Sequence, residues 1–244
     1  MGISSVVTGE IFPRVGWKTV AMTTDPIPGR RDLAAERINY SGDHLVESAA
    51  PGDPYVLFDR WLADAFSAKE QGVLPEPTAM VVATAVDGRP SARTVLLKEV
   101  DADGFVFYTN YASRKGVELA TNPQVALHFG WYSLQRQVRV EGTAAQVPRA
   151  ETEAYFATRP RGSQLGAWAS PQSAEVDSPA ALTASYDAFE RQFAGQDVPC
   201  PPHWGGYRVR PTLLEFWQGQ PSRMHDRLVY RRSGSGWVVS RLAP

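Results

Sequence analysis

Near the C-terminus, Arg223, Met224, His225, Asp226 and Arg227 place two guanidiniums, an imidazole and a carboxylate in five consecutive positions. The flanking "EFWQ" and "LVY", and the turn-forming "RRSGSGW" that follows, predict a strand here. Alternation along that strand puts Arg223, His225 and Arg227 on one face and Met224, Asp226 and Leu228 on the other. Three potential cations in a row repel one another unless water screens them or an anion lies against them. Further cations and hydroxyls occur upstream: Arg93 and Lys98 in "RTVLLK", Tyr108 and Thr109 in "YTN", Arg114 and Lys115 in "SRKG". "YFATRPRGS" adds Tyr155, Arg159 and Ser163. Tyr155 and Arg159 share a helical face, and Ser163 lies beyond a helix-breaking proline. Guanidinium forks and hydroxyls suit phosphate oxygens. Two such clusters suggest two phosphate groups.

Other chemistries are poorly supported. The chain has no G-x-x-x-x-G-K-[ST] loop and no G-x-G-x-x-G between a strand and a helix. His44, His128, His203 and His225 are scattered and Cys200 is the single cysteine, so no metal site is expected. Ser163 lacks the spacing of a nucleophile elbow. A net charge of −1 gives no global attraction to nucleic acid or to an anionic membrane. No run approaches a membrane span, the N-terminus is a poor secretory signal, and one cysteine fits a reducing compartment, so a cytoplasmic protein is expected. Each Arg/Lys pair taken alone is more often a solvated surface feature. Trp131 and Trp217 alone read as core, and His225 alone reads equally well as structural.

The elements that must position these residues follow from apolar periodicity. Residues 1–50 read mostly as loop, Met22 looks like a second start, and residues 1–21 look dispensable. "DPYVLFDRWLADAFSAKEQG" reads as a helix capped by Asp53, with Phe58, Leu62 and Phe66 as its apolar stripe. Short strands follow in "TAMVVATAV", "SARTVLLKEV", "FVFYTN", "QVALHFGWY" and "RQVRVEGTAAQV", with a short capped helix in "SRKGVELATNP". "PRAETEAYFATRP" and "SPAALTASYDAFERQFAG" read as helices, and "YRVRPTLLEFWQ", "RMHDRLVYRR" and "WVVSRLAP" as the last strands. Tight turns between short strands argue for a mainly β, α+β fold: an antiparallel sheet or barrel with peripheral helices. Residues 37–244 form one expected domain behind a mostly flexible extension, residues 1–36.

Taken in order, "RTVLLK", "FYTNYASRKG", "RQVRVEG", "YFATRPRGSQLGAWAS", "WGGYRV", "EFWQG", "RMHDR" and "RLAP" closely resemble the pyridoxine/pyridoxamine 5′-phosphate oxidase family. The resemblance implies an antiparallel split β-barrel, a homodimer, and FMN bound across the dimer interface. It implies that Arg93, Thr94, Val95, Leu96, Leu97, Lys98, Tyr108, Thr109, Arg114 and Lys115 serve FMN, many of them around its phosphate. Gln137, Gln172, Ser173, Trp217 and Arg227 would complete that site. Lys98, Tyr155, Arg159 and Ser163 would grip the substrate phosphate, with Arg223 and His225 facing the pyridine ring as catalytic residues. Arg37 and Tyr40 would cover the site from the N-terminal side. The implied chemistry is oxidation of pyridoxine or pyridoxamine 5′-phosphate to pyridoxal 5′-phosphate, with hydride passing from C4′ to flavin N5 and on to O₂ as H₂O₂. By strict alternation Arg93 and Lys98 fall on opposite strand faces, so Lys98 needs a bulge, a strand end or an approach from the sheet edge.

Two other readings compete. A related flavin oxidase of the phenazine type would act on another aromatic substrate. A non-catalytic split-barrel protein would bind flavin, haem or pyridoxal phosphate without turnover.

Overall fold

The computed structural model describes residue 33 and residues 35–244. The chain divides into two units, Met1–Ile38 and Asn39–Pro244. In the first unit the described residues, Arg37 among them, are exposed. The expectations for residues 1–21 and for Met22 lie outside the described residues.

The second unit begins with a short 3-10 turn and then helix α1 (Pro54–Glu70). The Asp53 carboxylate caps α1 by accepting the Tyr55 amide at 2.9 Å, and Pro54 occupies the first turn. Its buried face is Leu57, Phe58, Trp61, Ala65 and Ala68. The expected stripe through Phe66 is therefore incorrect, because that side chain is 43% exposed. Eight residues at 100° each leave Phe66 about 80° round the helix from Phe58, and Ala65 takes the core position instead. Phe58 inserts between Phe105 and Phe129, with ring centroids 5.0 and 5.1 Å away. Truncating so enclosed a ring to alanine costs about 3–5 kcal/mol.

Among the described residues nine strands form one antiparallel sheet: β1 (Ala79–Val86), β2 (Arg89–Leu96), β3 (Glu99–Asp101), β4 (Gly104–Asn110), β5 (Gln124–Trp131), β6 (Arg136–Gln146), β7 (Trp204–Gln218), β8 (Asp226–Ser233) and β9 (Gly236–Arg241). The order is β2-β1-β5-β6-β7-β4-β3, with β8 and β9 branching from β7. β7 pairs with β6 over most of its length, with β4 along its first half and with β8 along its second. At the changeover the β6–β7 register shifts between Glu141 and Gly142, and a Cβ on Gly142 would lie 2.2 Å from the Arg210 carbonyl oxygen. Only glycine admits that approach. The Lys98 amide donates to the Val106 carbonyl at 2.8 Å, which draws the end of β2 against β4 and curls the sheet toward closure. This is the architecture of a barrel split at one strand.

The helices are peripheral: α2 (Arg114–Thr121), α3 (Arg149–Ala157), α4 (Arg161–Ala169) and α5 (Pro179–Gln192). The sequence reading had no helix for α4, whose nine residues start behind Pro160. Among the described residues no helix is long and apolar enough to cross a membrane.

Candidate functional site

A cleft of about 600 Å³ opens where β2, β4 and the start of α2 meet. Arg93, Thr94, Val95, Leu96 and Lys98 line one side, Tyr108, Thr109, Arg114 and Lys115 another, and Gln172 and Ser173 the rim. Leu97 does not line it, because its side chain is buried in the core at 5% exposure. The difficulty over Lys98 is resolved by a strand end. β2 stops at Leu96, and the Leu97 and Lys98 amides turn to the Thr78 and Val106 carbonyls. Alternation therefore lapses before Lys98, and both cations face the cleft.

The electrostatics of this cleft suit an anion. Lys115 is only 7% exposed, and its Nζ donates to Thr109 Oγ1 (2.9 Å), Gln172 Oε1 (2.9 Å) and Ser113 Oγ (3.3 Å). Among the described residues no carboxylate pairs with it. Burial, reinforced by the Arg93 charge, pushes the ammonium down to about 8. Ser113 also caps α2, so one hydroxyl fixes both the helix start and the lysine. Glu118 is the local carboxylate: it accepts Arg93 and Arg114 at 2.8 Å each, together with Thr84 and Ser91 hydroxyls. Burial works to raise its pKa, but those four partners hold it at about 2. Four cations (Arg93, Lys98, Arg114, Lys115) thus share one anion. A phosphate fits this donor set.

Beside the Tyr108 wall, aromatic stacking brings in the next expected group. Tyr155 lies on Tyr108 with centroids 4.0 Å apart, and Trp204 stacks on Tyr108 at 5.3 Å. The Arg159 guanidinium sits 4.5 Å from the Trp204 ring centre. Its Nη1 is buried without a hydrogen-bond partner, and burial lowers its pKa. Such an orphaned donor is costly unless something accepts from it. Burial also pushes the Tyr108 phenol up to about 12, which keeps it a donor. Ser163 is exposed in the first turn of α4, its amide donating to the Pro160 carbonyl.

The remaining site residues lie elsewhere in the chain. Cross-strand register aligns Gln137 on β6 with Trp217 on β7 and Arg227 on β8. All three line a second cleft, of about 270 Å³, with His128, Arg139 and Glu215. Glu215 is 6% exposed and bridges Arg139 (2.5 Å) and Arg227 (2.7 Å). Gln137 is hydrogen-bonded to His128 at 3.1 Å.

The single-strand reading of residues 223–227 is wrong in its first half. Pro221–Arg223 form a 3-10 turn, and β8 begins only at Asp226. Pro221 cannot donate to a ladder, and Ser222 and Arg223 take left-handed φ values of 55° and 62°. Arg223 is exposed on this turn, so Arg223, His225 and Arg227 are not one strand face. His225 is also not a third cation. Its Nδ1 accepts the Gln220 amide at 3.1 Å, which places the ring proton on Nε2. Burial and the neighbouring Arg223 lower its pKa further. The imidazole lies 4.5 Å from Trp217 by ring centroids, and Tyr40 stands edge-on to both rings. Tyr40, expected to cover the site, lies against His225 and Trp217.

Sequence reasoning missed Glu118, Glu215 and Trp204. Glu118 follows Arg114 by four residues on a helix, a visible signal. Glu215 meets its two arginines only through strand register, which leaves no local trace. Among the described residues no cluster of three or more His, Cys, Asp or Glu side chains is arranged to hold a metal.

Comparison with known proteins agrees with this architecture. The family model for pyridoxamine 5′-phosphate oxidase matches residues 66–192, and that for the pyridoxine 5′-phosphate oxidase C-terminal dimerisation region matches residues 204–244. A pyridoxine/pyridoxamine 5′-phosphate oxidase of Rubrobacter xylanophilus is 56% identical over 220 residues, covering 90% of this chain and 100% of that protein. One from Thermosynechococcus vestitus is 55% identical, covering 87% and 99%. Among solved structures, PhzG from Burkholderia lata 383, in complex with tetrahydrophenazine-1-carboxylic acid, is similar with a TM-score of 0.76 and 33% identity, covering 84% of this chain and 100% of that one. With the family model spanning more than half its length and relatives this similar, the chain belongs to the pyridoxine/pyridoxamine 5′-phosphate oxidase family.

Proposed function

We propose that this protein is a homodimeric, FMN-dependent oxidase that converts pyridoxine 5′-phosphate and pyridoxamine 5′-phosphate to pyridoxal 5′-phosphate, with O₂ as acceptor and H₂O₂ as co-product. The observation that carries the reading is the pair of phosphate-ready clusters: buried Lys115 without a carboxylate, and Arg159 with a buried, unpaired Nη1. FMN and its substrate each bring one phosphate.

When bound, FMN supplies the acceptor for the hydride leaving C4′ of the substrate and passes the electrons to O₂. The chain's own residues bind, orient and polarise. Arg93, Arg114, Lys115 and Thr109, with Gln172 and Ser173 at the rim, hold the FMN phosphate, and Glu118 keeps the two arginines in place. Thr94, Val95 and Leu96 flank the cofactor, while Leu97 has only its backbone to offer. Lys98, Tyr155, Arg159 and Ser163 take the substrate phosphate.

Gln137, Trp217 and Arg227 line a different cleft from the cations. Trp217 and Arg227 fall within the stretch matched by the dimerisation-region model. We therefore assign this second cleft to the flavin ring held mainly by the partner subunit. Arg223 and His225 face the pyridine ring, with His225 Nδ1 occupied by the Gln220 amide and its Nε2–H left as the donor. Tyr40 covers the ring from the N-terminal side. Residues 37–244 act as one oxidase unit, and the lone Cys200 fits a cytoplasmic enzyme.

The phenazine-type reading draws on the likeness to PhzG. A tetrahydrophenazine carboxylic acid has no phosphate, so it leaves Arg159 and Lys98 without a dianion to bind. Adding pyridoxine 5′-phosphate to the aerobic, FMN-loaded protein should give pyridoxal 5′-phosphate and H₂O₂ in equal amounts. Flavin binding without either product would favour the non-catalytic reading.

A further inference from the structure

Asp226 has no part in the roles assigned above, yet it joins three segments. It opens β8 at 7% exposure. Its Oδ2 accepts the Leu45 amide at 3.1 Å and lies 3.2 Å from His44 Nδ1. Its Oδ1 accepts Arg241, at the end of β9. Arg241 also donates to the Leu45 carbonyl at 2.6 Å and to both Glu47 oxygens at 2.8 and 2.9 Å. Burial favours protonation of Asp226, but the Leu45 amide, Arg241 and His44 hold its pKa below the usual range.

The segment so gripped carries Tyr40. Additional tethers run from the Ser41 amide to Gln135 Oε1 (2.8 Å) and from Gln220 Nε2 to the Asp43 carbonyl (3.0 Å). A Cβ on Gly219 would lie 2.8 Å from the Tyr40 ring, so glycine makes room for the tyrosine there. Tyr40 consequently meets His225 and Trp217 edge-on at centroid distances of 5.5 and 5.7 Å.

We infer that Asp226 is a positioning residue for the substrate site, clasping residues 44–47 and Arg241 together so that Tyr40 is held against His225. A carboxylate is required because each oxygen serves a different donor. An asparagine in its place offers one acceptor and one donor, so either Leu45 or Arg241 loses its partner. The functional half of this inference rests on reading His225 as substrate-facing.

The test uses the FMN-loaded dimer. In Asp226→Ala, amide hydrogen exchange in peptides spanning residues 40–47 should accelerate at least about tenfold, with β5–β7 unchanged. The KM for pyridoxine 5′-phosphate should rise about tenfold, with kcat within about threefold and FMN content intact. In a Tyr40→Ala background the same substitution should add less than about twofold, because the effect passes through that ring. Asp226→Asn should lie between wild type and alanine. If Asp226→Ala does not yield a loaded dimer, Arg241→Ala, which removes the other side of the clasp, is read in the same cycle. Unchanged exchange at residues 40–47, or additive effects of the two substitutions on KM, would overturn the clasp. Absence of turnover in the wild-type protein would instead overturn the functional reading, and the exchange result would still decide whether Asp226 holds the segment.

Discussion

The two clefts are built on opposite principles. The cleft of β2, β4 and α2 draws most of its lining from two stretches, residues 91–98 and 108–115, and holds an excess of fixed positive charge. The β6–β8 cleft takes single residues from strands far apart in sequence and balances its charges locally, with Glu215 between Arg139 and Arg227 and Glu141 also on Arg139. A site for a dianion has to carry uncompensated cations before the ligand arrives, as Lys115 does. A site for an aromatic ring needs shape and a fixed hydrogen-bond pattern, as Trp217 and the His128–Gln137 pair provide. Anchoring of a phosphate and placement of a ring are therefore separable by mutation.

Among the substitutions that separate the two regions, the largest expected effect tests the first cleft. Lys115→Met keeps most of the length of the side chain and removes its charge. Losing a charge-assisted hydrogen bond worth about 1.5–3 kcal/mol, together with the local field, should weaken FMN binding about a hundredfold. Fluorescence titration of the apoprotein with FMN measures this, and unchanged affinity would place the phosphate elsewhere. Next comes the turn at Pro221–Arg223, which lies outside both clefts. Arg223→Ala should lower kcat/KM for pyridoxine 5′-phosphate roughly ten- to hundredfold while FMN remains bound, one charged contact being lost. Loss of flavin from this variant would assign the turn to the cofactor.

A smaller effect follows from the titration of Lys115. Its folded-state pKa is depressed from 10.5 to about 8. Phosphate binding needs the ammonium form, so FMN affinity of the apoprotein should be level below pH 8 and weaken by up to about tenfold per pH unit above it. The stability of the apoprotein should change in the opposite sense. Between about 8 and 10.5 the unfolded chain retains this proton and the folded chain does not, so the contribution of Lys115 to stability rises with pH across that window. Titrations and melting curves from pH 7 to 10 check both signs, and an affinity independent of pH would separate Lys115 from the phosphate. Smallest is Ser163→Ala, which should raise KM about two- to tenfold through loss of one neutral hydrogen bond. No change in KM would remove Ser163 from the substrate site.

The same contrast explains what was legible in the sequence. Arg93, Lys98, Tyr108, Thr109, Arg114 and Lys115 are adjacent in short motifs, so residue type and spacing already marked a cationic cluster, and the fold brings it to one cleft. The strands and α2 were legible because alternation and the Ser113 cap are local properties. Residues 223–227 were misread because a turn starting at Pro221 interrupts a stretch whose composition still favours a strand. Phe66 was misassigned because four-residue spacing drifts around a helix over two turns. The alignment of Gln137, Trp217 and Arg227 depends on strand register, which residue order does not encode. The clasp at Asp226 joins residues about 180 positions apart and had no local signal.

The central claim is that a second phosphate, carried by the substrate, is recognised beside the FMN cleft by Arg159 and its neighbours. The most direct test is the ratio of kcat/KM for pyridoxine 5′-phosphate to that for pyridoxine, in the wild-type protein and in Arg159→Ala. Without the phosphate, Lys98 and Arg159 lose several charge-assisted contacts at once, so the wild-type ratio should be at least about a thousandfold. Arg159→Ala should raise KM for the phosphorylated substrate and lower that ratio at least about tenfold, because the contact exists equally in ground and transition states. Comparable turnover of the two substrates by the wild-type protein, or an unchanged ratio in the variant, would contradict the account.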